Sequence, residues 1–279
     1  MDTPWTIGVQ RDGILMPRGT GYAGVVTKNK LKQMGLAMHN HHDVFNRFPV
    51  DDTIHPSYGY FDETGRPKLS WRVYLLPMLD HLDLFNQFHL NESWDSPHNL
   101  ALLDKMPDVF RSVGDPFDSS TTRFQVFRGP DGLFGRSYLY NGIEKAPRIR
   151  DITDGISNTF LIAEAGASKA VPWTQPSDIE FDPADPLGSL GLTADDLLTA
   201  VMADGSGRQF SMSIPEAMIS ALVSPTGGEI MSQVSGLLCL EFWQHRLPER
   251  TFRFAKENWS HRRGSAEARQ RDDRCHCFH

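Results

Sequence analysis

From Asn29 to Pro49 the chain reads NKLKQMGLAMHNHHDVFNRFP. At about 100° per residue from Leu31, the side chains of Met34, Gly35, Met38, His42 and Phe45 fall within roughly 60° of it. Lys30, Lys32, Asn40 and Asp43 point away. One apolar stripe on an otherwise polar helix predicts packing against a single neighbouring element. Thr27 is the predicted N-cap, and the Phe48-Pro49 step the predicted stop, because proline disfavours α geometry in the residue before it. Gly35 lies on the stripe, where it costs roughly 1 kcal/mol against alanine. Its presence there predicts a close backbone approach by the partner element.

Beyond this helix the pattern predicts short elements. Residues 49–68 form a loop rich in Pro, Gly and Asp. Ser70 caps a helical stretch running to Phe88, with Leu75, Leu79, Leu82 and Phe85 in helical spacing and Pro77 bending it. Ser96-Pro97 opens another helix and Pro107 lies past its end. Arg123 to Arg128 alternates like a strand, and Gly129-Pro130-Asp131-Gly132 is a turn. Asp154-Gly155 is a second turn, followed by an apolar strand from Thr159 to Ala163. Residues 174–190 read as an acidic loop punctuated by prolines. Leu197 to Ala203 and Arg208 to Met212, joined by Asp204-Gly205-Ser206-Gly207, read as a hairpin. Ser213 and Glu216 form a capping box for a helix ending near Val223, with Pro215 in its first turn. Helices first and strands later predict an α+β fold, a first helix laid on a small antiparallel sheet.

The chain has 279 residues, 39% hydrophobic and 23% charged, which is ample for a sizeable core. Its net charge of −7 is unevenly placed: residues 243–279 hold nine Lys/Arg against five Asp/Glu, the rest nineteen against thirty. An acidic body argues against nucleic acid as the partner, since phosphate binding needs a basic surface. The basic tail has little apolar periodicity and reads as disordered. The division expected is a flexible leader over 1–26, one α+β domain over 27–236 and a tail over 237–279. Cys239, Cys275 and Cys277 lie at or beyond the end of the body, so no disulfide is expected to staple it. No apolar run approaches the ~20 residues of a membrane helix, so no membrane insertion is expected.

The segments NKLKQMGLAMHNHHDVFNRFP, SWRVYLLPMLDHLDLFNQFHLNESWDSPHN, FRSVGDP, IRDITDGISNTFLIAEA, VPWTQPSDIEFDPADPL and ADGSGRQF closely resemble a large bacterial family of unknown function, bacterial solute-binding protein family ten, abundant in planctomycete-type bacteria. The resemblance runs from about residue 28 to about 230. It implies a pilin-like fold, a type IV prepilin-like N-terminal stem and a terminal motif of His, nine residues and Asp-Gly. No reaction is implied. The chain departs from that pattern in three places. A Gly-rich leader stands where the stem is expected, which leaves localisation open between envelope and cytoplasm. Ala194 stands ten residues before Asp204 in place of the histidine, and nothing after about residue 237 resembles the family.

Several residue groups carry candidate chemistry. Gly19-Thr20-Gly21-Tyr22-Ala23-Gly24 fits GxGxxG, with Asp43 at about the right distance for a ribose contact. However, Pro17-Arg18 precedes it instead of a buried strand, so no cofactor is expected. His39 and Asp43 share a helix face, but His41 points elsewhere and His42 lies on the packing stripe, so a partly buried, hydrogen-bonded His42 among solvent histidines is expected and not a metal. Cys275-His276-Cys277 with His279 is too short to wrap one ion. Asp151, Asp154, Ser157 and Asn158 lack the alternating acids of a calcium loop. Asp154-Gly155 and Asp204-Gly205 are therefore read as structural turns. Trp71, Trp94 and Trp173 are the candidate ligand platform, since aromatic faces stack on sugars and peptides, although Trp71 also fits a helical core face. Glu164, at a strand end, is the candidate acid of that platform.

No GxSxG, HExxH, Walker A or paired catalytic carboxylates occur, so no enzyme activity is expected. The reading that results is a non-enzymatic pilin-like or pseudopilin-like protein offering a surface to protein or glycan partners at the cell envelope. The alternatives are an extracytoplasmic binding module for a small solute or glycan, and an undetected hydrolase using Glu164.

Overall fold

The computed structural model describes residues 9–11, 14–16, 22–49, 68–135, 138–140, 143–192, 197–211 and 214–228. The expected tail, Ser213 and the histidine-equivalent Ala194 lie outside them. Helix α1 (Tyr22–Phe45) is followed by the short α2 (Trp71–Tyr74), α3 (Leu82–Phe85) and α4 (Pro97–Leu100), with α5 (Pro186–Leu190) and α6 (Glu216–Val223) later. The strands are β1 (Val9–Arg11), β2 (Ile14–Met16), β3 (Thr121–Thr122), β4 (Phe124–Gln125), β5 (Phe127–Arg128), β6 (Tyr138–Tyr140), β7 (Ile143–Lys145), β8 (Phe160–Glu164), β9 (Val171–Pro172), β10 (Ile179–Glu180), β11 (Leu197–Met202) and β12 (Gly207–Ser211). A central antiparallel sheet runs in the order β12-β11-β8-β4. Four further pairs are two-stranded: β1 with β2, β3 with β9 and β6 with β7 antiparallel, and β5 with β10 parallel. The fold is α+β, as the order of elements implies.

Helix α1 lies across β11 and also meets β12 and β8. Its buried face is Thr27, Leu31, Met34, Gly35, Ala37, Met38 and His41. Burying each of the large apolar members contributes roughly 1.5–3 kcal/mol. Gly35 fulfils the expected close approach: a Cβ there would meet Val201 Cγ2 at 2.9 Å and the Gly205 Cα at 3.7 Å. Both ends of the helix differ from expectation. It begins at Tyr22, so Thr27 is an interior residue on the seam and not a cap. It stops at Phe45 because Asn46 takes a φ of 54°, a left-handed turn that asparagine tolerates. The chain then folds back so that Phe48, and not the half-exposed Phe45, completes the core, with the Phe48 N–H donating to the Pro147 carbonyl at 2.9 Å.

The sheet buries both faces. In its register Gln209, Thr199, Val201, Gly207 and Ile162 stand on the α1 side. A bulge between Val201 and Met202 pairs Met202 with Phe160 and turns that ring to the far face. There Phe160 stacks on Phe127 at 5.5 Å, while Phe210 and Phe181 meet these rings edge-on. Helix α6 buries Met218, Ile219 and Leu222 and packs on α5.

Three segments are more broken than periodicity suggests. The stretch after Ser70 is not one bent helix: α2 ends at Tyr74, Pro77 sits in a 3-10 turn over Leu76–Leu79, and Asp80 with φ 62° stops it before α3. Residues 123–128 divide between β4 in the central sheet and β5 in the parallel pair. The acidic loop over 174–190 contains β10 and α5, whose start is capped by Asp185 accepting from the Gly188 N–H at 3.0 Å. Pro215 precedes α6 as its cap residue, without a side-chain cap.

Candidate functional site

The three tryptophans do not form one surface. Trp71 is 1% exposed in the core, with its Nε1 donating to Asp178 Oδ1 at 3.1 Å. Trp173 is 0% exposed: Nε1 donates to the Leu103 carbonyl at 2.8 Å, Phe110 stacks on its ring and Phe88 meets it edge-on. Trp94 is half-buried against the same core. The covered rings of Trp71 and Trp173 hold the core together and leave no stacking face for a ligand.

Around Trp71 lies a polar knot that periodicity does not announce. Arg72, fully buried, donates from Nη2 to Asp178 Oδ1 at 2.7 Å and to the Phe124 carbonyl at 2.8 Å, from Nε to that carbonyl at 3.1 Å, and from Nη1 to Ser70 Oγ at 2.8 Å. The Val126 N–H adds a donor to Asp178 Oδ1 at 3.2 Å. Burial draws the Arg72 guanidinium below its ordinary pKa, and the adjoining Asp178 carboxylate pulls it back up. Its guanidinium also lies 4.6 Å above the Trp71 ring. The knot ties α2, β4 and the loop before β10 together across more than a hundred residues of chain.

Glu164 ends β8 against Arg123, whose Nη2 lies 3.3 Å from Glu164 Oε1 and 3.2 Å from Asp115 Oδ1. It is an ion-paired carboxylate at the end of the interior strand β8, opposite Phe124 of the edge strand β4. The two Asp-Gly turns have structural duties. Asp204 Oδ1 accepts from the Ser206 N–H at 2.8 Å, and Gly205 takes φ 81° to close the β11–β12 hairpin. Asp154 Oδ1 accepts from the Gly228 N–H at 3.0 Å, the Thr153 and Asp154 N–H groups both donate to Pro225, and Gly155 takes φ 96°. That turn latches the segment after α6.

The histidines of α1 diverge. His42 is half-buried and its Nε2 accepts from the Ile149 N–H at 3.3 Å, as expected for a hydrogen-bonded His42. His41 is not a solvent histidine but fully buried, with Nδ1 3.0 Å from the Arg47 carbonyl and its ring 4.5 Å from Phe45. Burial pushes its pKa down from 6.5 to about 4. His39 turns toward Gly205. Among the described residues, no group of three or more His, Cys, Asp or Glu is placed to hold a metal ion. Of the glycine-rich motif, Gly19, Thr20 and Gly21 lie outside the described residues, and Gly24 is inside α1, where a Cβ would meet Gln209 Nε2 at 2.5 Å.

What remains outward is the face of α1 opposite its seam. Tyr22 is 65% exposed, Val25 50%, Leu36 62% and Val44 66%. Asn29, Gln33 and Asn40 lie between them, also exposed. The exposed Lys32 and Asp43 lie along the same side of the helix.

Residues 27–142 match the family model described as Protein of unknown function (DUF1559). This is the family that the sequence motifs resemble, and the match covers the stretch from α1 through β6. The motifs after residue 142, including both Asp-Gly turns, fall outside it. No curated protein and no solved structure matches the chain. Among the described residues no helix is long and apolar enough to cross a membrane.

Proposed function

We propose that the chain is a non-enzymatic, pilin-like protein of the cell envelope whose outer α1 face is an interaction surface. The observation that carries this reading is the two-sidedness of α1: a close-packed seam on the antiparallel sheet, and opposite it large apolar side chains left in solvent. Four large apolar side chains exposed along one helix face, with Asn29, Gln33 and Asn40 between them, support reading it as an interaction surface. The envelope assignment rests on the DUF1559 match and the prepilin-like stem that the family resemblance implies. Solute or glycan binding has less support, because Trp71 and Trp173 have covered rings. Hydrolysis has less still, because Glu164 is paired with Arg123.

A photo-cross-linking residue in place of Leu36, read after cell fractionation, tests the proposal. Adducts are expected in the envelope fraction and should vanish in Val44→Arg, which should melt like the wild type. Adducts confined to the soluble fraction, or unchanged by Val44→Arg, overturn it. So does a sugar or peptide that raises the melting midpoint of the wild type and Val44→Arg alike, which would move the function to a binding module.

A further inference from the structure

The central sheet ends in β12, and part of the outer edge of that strand is open among the described residues. The Met202 N–H donates to the Ser206 carbonyl at 2.8 Å, so the register puts Ala200 with Arg208 and Leu198 with Phe210 in hydrogen-bonded pairs. Residues between them turn their backbone groups the other way. The N–H and C=O of Gly207 and Gln209 therefore point out of the sheet, and no described residue bonds to them. An edge of this kind is a template for one more strand.

Side chains on both faces of the edge say what that strand must carry. On the α1 side a Cβ at Gly207 would meet Lys28 Cγ at 2.6 Å and Lys32 Cε at 3.2 Å, so both lysine stems lie across the glycine. Arg208 stands on the opposite face with Phe210, whose ring meets Phe160 edge-on at 5.6 Å. Lys30, between the two lysines in the chain, has its Nζ 2.9 Å from Asp108 Oδ2 and donates to the Arg111 carbonyl at 3.0 Å. Lys28, Lys32 and Arg208 have no such partner among the described residues. Asp204, in the adjoining turn, has its Oδ1 taken by the Ser206 N–H. A chain of net charge −7 thus leaves three cations unpaired around one strand edge.

We infer that β12 takes up an extended, acid-rich segment of a partner protein as an added strand. Main-chain bonds to Gly207 and Gln209 hold the segment, and the carboxylates that alternate along it reach Lys28 and Lys32 on one face or Arg208 on the other. Charge complementarity of this kind selects the partner more than it adds affinity. Lysines beside an open edge turn away strands that do not match them. A second copy of β12 is such a strand, because it would set the same three cations against these. The inference adds a contact surface to the outer face of α1 and does not depend on it.

The test uses the full chain and a blocked heptapeptide alternating glutamate with threonine, labelled for fluorescence anisotropy. Saturable binding is expected, weakened at least tenfold by Lys28→Glu combined with Lys32→Glu, which should melt like the wild type because neither charge has a partner to lose. The same peptide with lysine for glutamate should prefer that variant to the wild type. Methylating every backbone nitrogen of the acidic peptide should abolish binding, whereas attraction between charges alone would survive it. In amide exchange, bound peptide should slow Gly207 and Gln209 and leave Arg208 and Phe210, already paired with β11, as they were. No binding at millimolar peptide overturns the inference, as does binding indifferent to the charge reversal or to N-methylation. Should the double variant melt early, exchange in the wild type decides: unchanged rates at Gly207 and Gln209 with peptide bound overturn the added strand, and slowed rates at those two alone uphold it.

Discussion

The seam under α1 and the knot around Asp178 are both sealed from water, yet they bind the structure by opposite chemistry. The seam is apolar, and its members Leu31, Met34, Gly35 and Met38 come from about two turns of one helix. The knot is polar, and Ser70, Arg72, Val126 and Asp178 reach it from separate stretches of chain. A seam of dispersion contacts loses stability in proportion to what is removed, whereas a buried ion pair fails abruptly when one partner goes.

The largest effect should come from forcing the second chemistry into the first region. Met38→Asp places a carboxylate at a fully buried site with no cation among the seam residues. The expected cost exceeds about 5 kcal/mol, comparable to the whole stability of a marginal domain. Circular dichroism should then show no cooperative melt, and an unchanged melting curve would refute the packing of α1. Next is Asp178→Ala, which leaves the Arg72 guanidinium buried without its carboxylate. A loss of roughly 3–5 kcal/mol is expected in urea unfolding. Replacing both, Arg72→Met with Asp178→Leu, should recover much of that loss, because a well-packed apolar pair does not need its partner charge. If the double variant is as unstable as Asp178→Ala, the knot contributes through its hydrogen bonds to Phe124 and Val126 more than through its charges.

At its C-terminal end the seam acquires a polar member, and there it becomes sensitive to acid. His41 is neutral when buried, with a pKa near 4 against 6.5 for the free side chain. The unfolded chain therefore takes up this proton first. The contribution of His41 is complete above pH 6.5 and drains away as pH falls toward 4, by about 3 kcal/mol in all. His42, also lowered chiefly by burial, acts in the same direction. Unfolding midpoints measured from pH 7 to pH 4 should fall accordingly, and His41→Phe should flatten much of that slope. An equal slope in His41→Phe would transfer the acid response to other groups.

The two regions also differ in how visible they are in the amino-acid order. A 3.6-residue period needs only neighbouring turns, so the seam, the role of Gly35, the β11–β12 hairpin and both Asp-Gly turns are legible without coordinates. Periodicity says nothing about Asp178 meeting Arg72, 106 positions away, because no local rule places an acid in a proline-punctuated loop beneath a buried arginine. Helix boundaries fail for a related reason. Asn46 ends α1 by adopting a left-handed turn, a choice settled by Phe48 returning to the core and not by the nearby proline. The tryptophans show the limit for sites: residue type marks Trp71 and Trp173 as ligand platforms or as core, and only the neighbours Phe88, Phe110 and Asp178 decide.

The smallest effect is also the sharpest test of the seam. Gly35→Ala should gain about 1 kcal/mol from helix propensity alone. The new methyl, however, would lie 2.9 Å from Val201 Cγ2, whose own side chain is fully buried and has little room to move. Overpacking of this kind typically costs 1–3 kcal/mol, so the net change should be a destabilisation of about 1 kcal/mol. Val201→Ala removes the opposing methyls. In that background Gly35→Ala should change sign and stabilise by up to about 1 kcal/mol, because the propensity gain is no longer opposed. The difference between the two backgrounds is the coupling energy of the contact, measurable from four urea titrations with a common slope. If Gly35→Ala has the same effect in both, α1 does not approach β11 as closely as the seam requires. The period would then have identified the right helix face without the glycine serving the contact.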